Sequence, residues 1–337
     1  MKKKLLAATA VLCAVALLAV IIADFLYSKN NSSNFISMNT TVSLDITGIK
    51  ADEAAEKMQS EINRLDSELL SRTNSSSEIF AVNSGRNEVS DELAKLLTDI
   101  KAIEQNSGNT FCSALGSLTD LWGIGTESEK LPAKSEIDSA IIGAADWSIA
   151  GNNVNLPEGI KLDLGAVGKG IACDYAAGIL TELKCSKAIV AVGGSVLLYT
   201  DDDSESFKVG IRNPLGQATD HCAIIETSAD FVSTSGNYER FFEDENGNRY
   251  HHIFDPSTGY PAESGLISVT VIAPNGMLSD ALSTACFVLG IEKSLPLLEK
   301  YSADAVFITE QNEIITTFDD NSVITITDDN FTLGEAK

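Results

Sequence analysis

The chain has 337 residues, of which 44% are hydrophobic and 21% are charged, so it can form one large domain or two smaller ones. Its formal net charge of −24 argues against nucleic-acid binding, because so acidic a surface repels DNA and RNA. The six cysteines include no C-x-x-C pair, which argues against both a disulfide scaffold and a zinc site.

The N-terminus is the exception to this acidic composition. Lysines at 2–4 precede an apolar run at 5–23, in which Thr9 is the only polar residue. As a helix this run would be about 28 Å long, which is close to the thickness of a bilayer core. We predict an uncleaved signal anchor in the cell membrane at 1–27, followed by a polar tether at 28–36 and an extracytoplasmic domain.

The remainder of the chain is predicted to be an α+β domain. Apolar residues at helical spacing predict helices at 51–70 and 90–105, and two more at 168–183 and 279–289, the last with Ser279 as its N-cap. Strand-like runs lie at 39–47, 188–192, 207–212, 222–226, 267–273, 304–309, 313–318 and 322–327. Because many connections between them are short, we expect mostly antiparallel sheets with helices packed against them.

A glycine-rich loop, KLDLGAVGKG at 161–170, precedes one of these helices. It is not a P-loop, since Gly165 and Gly168 are only three residues apart and Lys169 is followed by Gly170. The first amides of a helix carry partial positive charge, so glycines and a lysine at this point suit a phosphate. A tight strand-to-helix turn explains the glycines equally well. The segment alone does not decide between the two interpretations.

The segment SDALSTACFVLG, at 279–290, combines a carboxylate and a hydroxyl. Asp280 and Thr284 are four residues apart and therefore share one helical face. Their oxygens are hard ligands of the kind that Mg²⁺ prefers. Such pairs are common, however, and the pair by itself is explained as well by a favourable acidic residue in the first turn and a threonine that packs.

The segment HHIFDPSTG, at 251–259, places two of the three histidines beside a turn. Asp-Pro followed by Gly is typical of a tight turn. A histidine that titrates near neutral pH can act as a general base, although a surface pair beside a loop is the simpler interpretation. Two more stretches are suggestive: STSGNYERFF (233–242) clusters hydroxyls before Arg240, and AVGGS (191–195) lets a ligand approach the backbone.

Taken in chain order, nine segments resemble those of the ApbE-like FAD:protein FMN transferases. They are SMNTTVSLDITG, SEIFAVNSG, LTDLWGIG, KLDLGAVGKGIACDYAA, AIVAVGGSV, VGIRNPLG, VSTSGNYERFF, HHIFDPSTGYPAE and ISVTVIAPNGMLSDALSTACFVLG. The resemblance runs from about Met38 to the last strands. It implies an ApbE-type, T-fold-like α+β domain over residues 37–330.

The resemblance also implies an activity. Members of this family use FAD with Mg²⁺, move FMN onto a threonine hydroxyl of a target flavoprotein, and release AMP. The implied targets are membrane subunits of Rnf-type or Nqr-type complexes, or extracellular electron-transfer flavoproteins. Some members hydrolyse FAD instead, so an Mg²⁺-dependent FAD pyrophosphatase is the alternative, as is a non-catalytic FAD-binding module.

Site residues follow from the resemblance in three groups. The residues implied to bind Mg²⁺, two through side chains and two through backbone carbonyls, are Asp280, Thr284, Ala166 and Ser283. The residues implied to contact FAD or its flavin are Met38, Asp163, Lys169 and Phe254. The residue implied to deprotonate the acceptor threonine is His252.

Two positions depart from the family pattern. Cys112 stands where the family usually has an aspartate that helps to hold the adenosine end of the cofactor, and Thr73 stands where it usually has an aromatic residue. Both departures fall in the implied FAD pocket, whereas the implied metal and base positions are intact.

Overall fold

The computed structural model describes residues 29–202, 204–217, 219–228 and 231–334. The predicted signal anchor at 1–27 lies outside the described residues. Within these ranges, no helix combines the length and the apolar character needed to cross a membrane.

The helices account for the four that the sequence predicted and add several short ones. They are α1 (Ala51–Arg64), continued by a π-helical turn (Leu65–Leu70), α2 (Glu78–Asn83), α3 (Asp91–Asn106), α4 (Gly116–Trp122), α5 (Lys134–Ile141), α6 (Gly168–Leu183), α7 (Gly276–Leu289) and α8 (Ile291–Tyr301), with 3-10 turns at Ala144–Asp146 and Asn321–Val323.

The strands match each predicted strand-like run to within a few residues. They are β1 (Asn30–Ser37), β2 (Thr40–Thr47), β3 (Ser148–Ala150), β4 (Asn153–Asn155), β5 (Lys187–Val192), β6 (Ser195–Thr200), β7 (Phe207–Arg212), β8 (His221–Thr227), β9 (Phe231–Gly236), β10 (Phe241–Glu243), β11 (Arg249–His251), β12 (Leu266–Ala273), β13 (Asp304–Thr309), β14 (Glu313–Thr316), β15 (Ile324–Ile326) and β16 (Thr332–Leu333).

The largest sheet of the described residues has nine strands in the order β1-β2-β5-β6-β9-β12-β13-β14-β16. Its neighbours pair antiparallel except for β14 and β16. A three-stranded antiparallel sheet has the order β15-β8-β7, and the ribbons β3–β4 and β10–β11 are separate. The predicted α+β class with mostly antiparallel sheets is confirmed.

The centre of the large sheet is buried on both faces. In β13, Ala305 and Phe307 belong to the core cluster that includes α6 and α7, whereas Val306 and Ile308 belong to the cluster with β7 and β8. Successive side chains of a strand point to opposite faces. The helices therefore cover one face and the three-stranded sheet covers the other, which explains why this strand is apolar throughout.

The predicted polar tether at 28–36 was wrong for most of its length. Residues Asn30–Ser37 form β1, which pairs with β2 along its whole length. Its composition is polar because it is an edge strand with one face towards solvent, and Asn31 donates to Asp52 Oδ1 on α1 at 2.9 Å. Pairing with an apolar neighbour, which the composition of the segment does not reveal, supplies the order.

The predicted start of the helix at Ser279 was also wrong. Helix α7 begins one turn earlier, at Gly276, and its N-cap is Asn275, whose side chain accepts from Leu278 N at 2.8 Å. Ser279 is instead a fully buried residue inside the helix. Asn, like Ser, is a strong N-cap residue, so the local signal was present four residues upstream.

Candidate active site

Helices α6 and α7 meet at their N-terminal ends through two glycines. A Cβ atom added to Gly170 would lie 2.0 Å from the carbonyl oxygen of Gly276, and one added to Gly276 would lie 2.1 Å from that of Gly170. Only glycine permits two backbones to come this close. The contact brings the start of α6, with the glycine loop before it, against the first turns of α7.

Asp280, in the second turn of α7, projects into this junction. It is 3% exposed, and its Oδ2 accepts a hydrogen bond from Gly170 N at 3.0 Å. Lys169 Nζ lies 3.5 Å from each oxygen of this carboxylate and donates to Gly165 O at 3.3 Å. A buried carboxylate is costly unless it is paired, so Lys169 and the α6 amide together hold the charge of Asp280 in place.

Three hydroxyls continue the site next to Asp280. Ser235 Oγ, on β9, lies 2.7 Å from Ser283 Oγ and 3.2 Å from Thr284 Oγ1. Ser283 Oγ donates in turn to the carbonyl oxygen of Asp280 at 2.9 Å. We refer to Lys169, Ser235, Asp280, Ser283 and Thr284 as the Asp280 cluster. The structure thus brings together four of the residues that the resemblance implied.

The donor set of the Asp280 cluster fits a hard cation. Among the described residues, no three His, Cys, Asp or Glu side chains converge as a metal site. A metal ion here would rely on one carboxylate, the Thr284 hydroxyl and backbone carbonyls. Such all-oxygen sets with few protein charges are typical of Mg²⁺, which is usually shared with the phosphates of a substrate.

The glycine loop turns directly before α6 begins. Gly168 N donates to Leu164 O at 2.8 Å, and Asp163 Oδ1 accepts from Gly165 N at 3.0 Å. Arg72 Nε lies 3.1 Å from Asp163 Oδ2, so this carboxylate is paired before any ligand enters. Ala166 sits half-buried within the turn against the main core. The predicted start of the helix near Gly168 is confirmed.

His252 presents one free ring nitrogen. Its backbone N donates to Arg240 O at 3.1 Å, and its Nδ1 lies 3.2 Å from the same oxygen. A carbonyl only accepts, so Nδ1 carries the proton and Nε2 keeps its lone pair. Burial, and then the charge of Arg240, lowers the pKa of His252 to about 4, with a smaller effect from Lys169. The imidazole is therefore neutral at pH 7 and able to accept a proton.

Its neighbour His251 has no free nitrogen. Nδ1 accepts from Ile253 N at 3.2 Å, and Nε2 lies 3.2 Å from Ala262 O, to which it donates. The ring is buried and stands edge-on to Phe287 at 5.5 Å between centroids. Of the two adjacent histidines, His251 supports the structure and His252 is the one available for chemistry.

Phe254 belongs to an aromatic cluster rather than to the Asp280 cluster. Its ring centroid is 5.7 Å from that of Trp122, whose Nε1 donates to Gly259 O at 3.0 Å. Phe254 is 7% exposed. Its packing against Trp122 therefore supports the turn after His252. Its contact with a bound cofactor stays a prediction.

Met38 lies in the two-residue turn between β1 and β2. Met38 and Asn39 have φ of 50° and 56°, the pattern of a type I′ hairpin turn. Met38 N donates to Asp66 Oδ2 at 2.8 Å. In the part of the chain that the structure describes, no hydrogen bond joins Met38 to the Asp280 cluster, so its role at the flavin stays a prediction.

The two departures from the family pattern differ in their surroundings. Burial, and then the charge of Glu104, raises the pKa of the Cys112 thiol to about 12, so the group is uncharged where the family has a carboxylate. Glu104 itself is fully buried and accepts from Ser113 N and Ser113 Oγ at 2.6 Å each. Thr73 is near the surface, with Oγ1 at 3.3 Å from Ser71 Oγ.

Sequence reasoning missed three residues that organise this site. Ser235 stood in a noted hydroxyl-rich segment but had no assigned partner. Asp174 accepts from Gly276 N at 2.6 Å and Met277 N at 2.9 Å, and Arg72 pairs with Asp163. Each of these contacts joins segments far apart in the chain, and no local pattern signals them.

Comparison with known proteins agrees with this geometry. The model of the ApbE family matches residues 38–307. The chain is 38% identical over 224 residues to the FAD:protein FMN transferase of Treponema pallidum (strain Nichols), which covers 60% of this chain and 62% of that relative's length. It is 30% identical over 274 residues to the FAD:protein FMN transferase of Klebsiella pneumoniae (strain 342), covering 78% of this chain and 85% of that relative.

A solved structure shares the fold. The crystal structure of the ApbE protein from Thermotoga maritima MSB8 superposes with a TM-score of 0.76 at 30% identity, covering 84% of this chain and 95% of that one. The family match spans the glycine loop, the histidine turn and the helix that bears Asp280. The chain belongs to the ApbE family.

Proposed function

We propose that this protein is an FAD:protein FMN transferase that moves FMN from FAD onto a threonine hydroxyl of a target flavoprotein and releases AMP. The observation that carries the proposal is the Asp280 cluster at the junction of two helix N-termini, in a chain whose relatives bear that enzyme's name. Helix N-termini and a lysine attract a diphosphate, and the carboxylate and hydroxyl attract its counter-ion.

In this proposal Mg²⁺ is held by the side chains of Asp280 and Thr284 and by the carbonyls of Ala166 and Ser283. When bound, the ion supplies charge neutralisation at the diphosphate as its P–O bond breaks. Lys169, freed from Asp280, contacts the same diphosphate. Asp163 and its partner Arg72 anchor the FAD at the other end of the glycine loop, while Met38 and Phe254 flank the flavin.

His252 is proposed as the general base. The hydroxyl oxygen of the acceptor threonine attacks the phosphorus of the FMN half, and its proton passes to Nε2 of His252. The bond between that phosphorus and the bridging oxygen breaks, and AMP departs with the electron pair. The Arg240 carbonyl keeps Nδ1 protonated throughout, so that Nε2 remains the nitrogen that accepts the proton.

The test is an incubation of the protein with FAD, Mg²⁺ and a flavoprotein subunit that carries an acceptor threonine. Mass spectrometry should find FMN covalently attached to the subunit together with an equal amount of AMP. His252→Ala should reduce transfer at least a hundredfold while FAD binding changes little. Release of FMN and AMP without attachment would show a pyrophosphatase, and bound intact FAD would show a binding module.

We propose further that the enzyme acts outside the cytoplasm, held in the cell membrane by residues 1–27. The run at 5–23 and its preceding lysines support this location, as they are typical of a signal anchor. Targets would then be Rnf-type, Nqr-type or extracellular electron-transfer subunits. Fractionation of cells that express the full chain should recover it in the membrane, and removal of 1–27 should release it.

A further inference from the structure

We propose that Ser235 is a positioning residue for the Asp280 cluster: it accepts the proton of the Thr284 hydroxyl and thereby turns the lone pairs of that hydroxyl towards a bound cation. The inference rests on the proposed metal site. Ser235 itself is not assigned as a ligand in this scheme, because its proton and one of its lone pairs are used by the two hydroxyls of α7.

The direction of the hydrogen bonds follows from counting protons. Each hydroxyl has one proton to donate. Ser283 donates its proton to the carbonyl oxygen of Asp280 at 2.9 Å. The 2.7 Å contact between Ser235 and Ser283 must therefore use the proton of Ser235. The 3.2 Å contact between Ser235 and Thr284 must then use the proton of Thr284.

This chain of donors leaves Thr284 Oγ1 with its proton fixed on the side of β9. Its lone pairs are consequently available on the remaining sides, as a metal ligand requires. Without an acceptor at Ser235, the Thr284 proton could rotate towards the cation and repel it. The same chain ends on the carbonyl of Asp280, so it also links Thr284 to the residue that bears the carboxylate.

Strand β9 holds Ser235 in a fixed position. It pairs with β12 on one side, where Ser235 lies opposite Val269, and with β6 on the other. Strands in the interior of a sheet are rigid, so they suit residues that must orient a ligand. Supporting groups of this kind typically change metal affinity tenfold to a hundredfold when they are removed.

The same strand offers a matched control. Ser233, two residues earlier and on the same face, has its Oγ 2.8 Å from Ser279 Oγ of α7. Ser233→Ala deletes one hydroxyl contact between β9 and α7, and Ser235→Ala deletes two, of which one is the contact with Thr284. A general effect of losing a hydroxyl between β9 and α7 should therefore appear in both variants, whereas a loss of metal binding through Thr284 is expected only for Ser235→Ala.

The experiment is a titration of the full-length protein with Mn²⁺, with the free ion followed by electron paramagnetic resonance. Ser235→Ala should weaken Mn²⁺ binding about tenfold, and Ser233→Ala less than twofold. Ser235→Cys, which keeps the shape but is a weak acceptor, should reproduce the loss, while Ser235→Thr should restore binding towards that of the wild type. Equal effects of Ser233→Ala and Ser235→Ala, or no effect of Ser235→Ala, would overturn the inference.

A double-mutant cycle separates this inference from the proposed function. If Ser235 acts through Thr284, Ser235→Ala should cost nothing further in a Thr284→Ala background. If the losses of Mn²⁺ affinity in Ser235→Ala and Thr284→Ala were fully additive, Ser235 would not act through Thr284, although the proposed metal site would still hold. If Asp280→Ala and Thr284→Ala both bind Mn²⁺ as well as the wild type, the proposed metal site fails, and the role of Ser235 fails with it.

Discussion

Asp174 and Asp280 each accept backbone N–H groups from the start of the other's helix. Asp174, on α6, accepts from the first two residues of α7 at 2.6 and 2.9 Å, and Asp280, on α7, accepts from Gly170 N of α6 at 3.0 Å. Each carboxylate therefore caps a helix to which it does not belong. The reciprocal arrangement fixes the angle between the helices and, with it, the position of Asp280 relative to the glycine loop.

Replacement of Asp174 should weaken this junction without removing any proposed ligand. Asp174→Ala leaves two buried N–H groups of α7 without their acceptor, and we expect a loss of about 1–2 kcal/mol in the free energy of unfolding. Asp174→Asn retains one carbonyl acceptor and should lose less. Denaturant unfolding followed by circular dichroism measures both, and an unchanged midpoint for Asp174→Ala would contradict the capping role.

Gly170, which contacts Gly276, should tolerate substitution by alanine far less well than Gly178 on the same helix. Gly170→Ala would place a Cβ atom 2.0 Å from Gly276 O, so we expect a loss of at least about 3 kcal/mol or a failure to fold. Gly178, exposed on the same helix, has nothing within 4 Å of an added Cβ. Gly178→Ala should be neutral or stabilising by up to about 1 kcal/mol. Similar melting temperatures for the two variants would show that the helices can separate at little cost.

Much of the fold could be predicted because the strongest sequence signals are local. The periodic apolar residues of α1 and α6 and the spacing of Asp280 and Thr284 depend only on neighbouring positions. Strand β1 could not be predicted, since its polar residues are ordered by pairing with β2 rather than by their own propensity. The contact between Ser235 and Thr284 likewise depends on how β9 and α7 pack, which no spacing in the chain encodes.

Lys169 and a metal ion should compete for Asp280. Lys169→Met removes the only cation within 4 Å of that carboxylate among the described residues. We therefore expect Mn²⁺ to bind about fivefold more tightly in the absence of nucleotide, and FAD to bind more weakly because its diphosphate loses a cation. Titrations with each ligand measure the two effects. Lys161→Met is the control for the Mn²⁺ titration, because Lys161 lies in the same loop as Lys169 but contacts Asp120 of α4 rather than Asp280. A loss of Mn²⁺ affinity in Lys169→Met would contradict competition.

The pH dependence of transfer should report the lowered pKa of His252. Because burial and the charge of Arg240 hold this pKa near 4, kcat/KM should stay level from pH 7 to about 5 and fall by half near pH 4. Arg240→Gln keeps the backbone carbonyl but removes the charge, so the midpoint should move upwards. The control is Arg212→Gln, which removes a guanidinium that pairs with Glu239 and should leave the midpoint unchanged. An acidic limb centred near 6.5 in the wild type would exclude His252 in this environment as the base.

Stability should also fall as the pH is lowered, through both His251 and His252, and His251 is the one that the proposed chemistry does not use. Burial lowers the pKa of His251 to about 4 from its ordinary value of 6.5, and both ring nitrogens are already bonded in the neutral form. Above pH 6.5 the folded and unfolded states are both neutral, so stability is complete. Between 6.5 and 4 only the unfolded state gains the proton at this residue, and we expect His251 alone to account for a loss on the order of 3 kcal/mol.

This loss is measured by chemical denaturation at a series of pH values. His251→Gln should lower stability at neutral pH, because it disturbs two buried hydrogen bonds, but it should reduce the slope between pH 6.5 and 4, with His252 supplying the remainder. His221→Gln, at an exposed position in β8, should preserve the slope of the wild type. If His251→Gln and His221→Gln show the same slope, His251 makes no contribution, and the acid sensitivity must come from His252 or from carboxylates, whose paired forms are lost at lower pH.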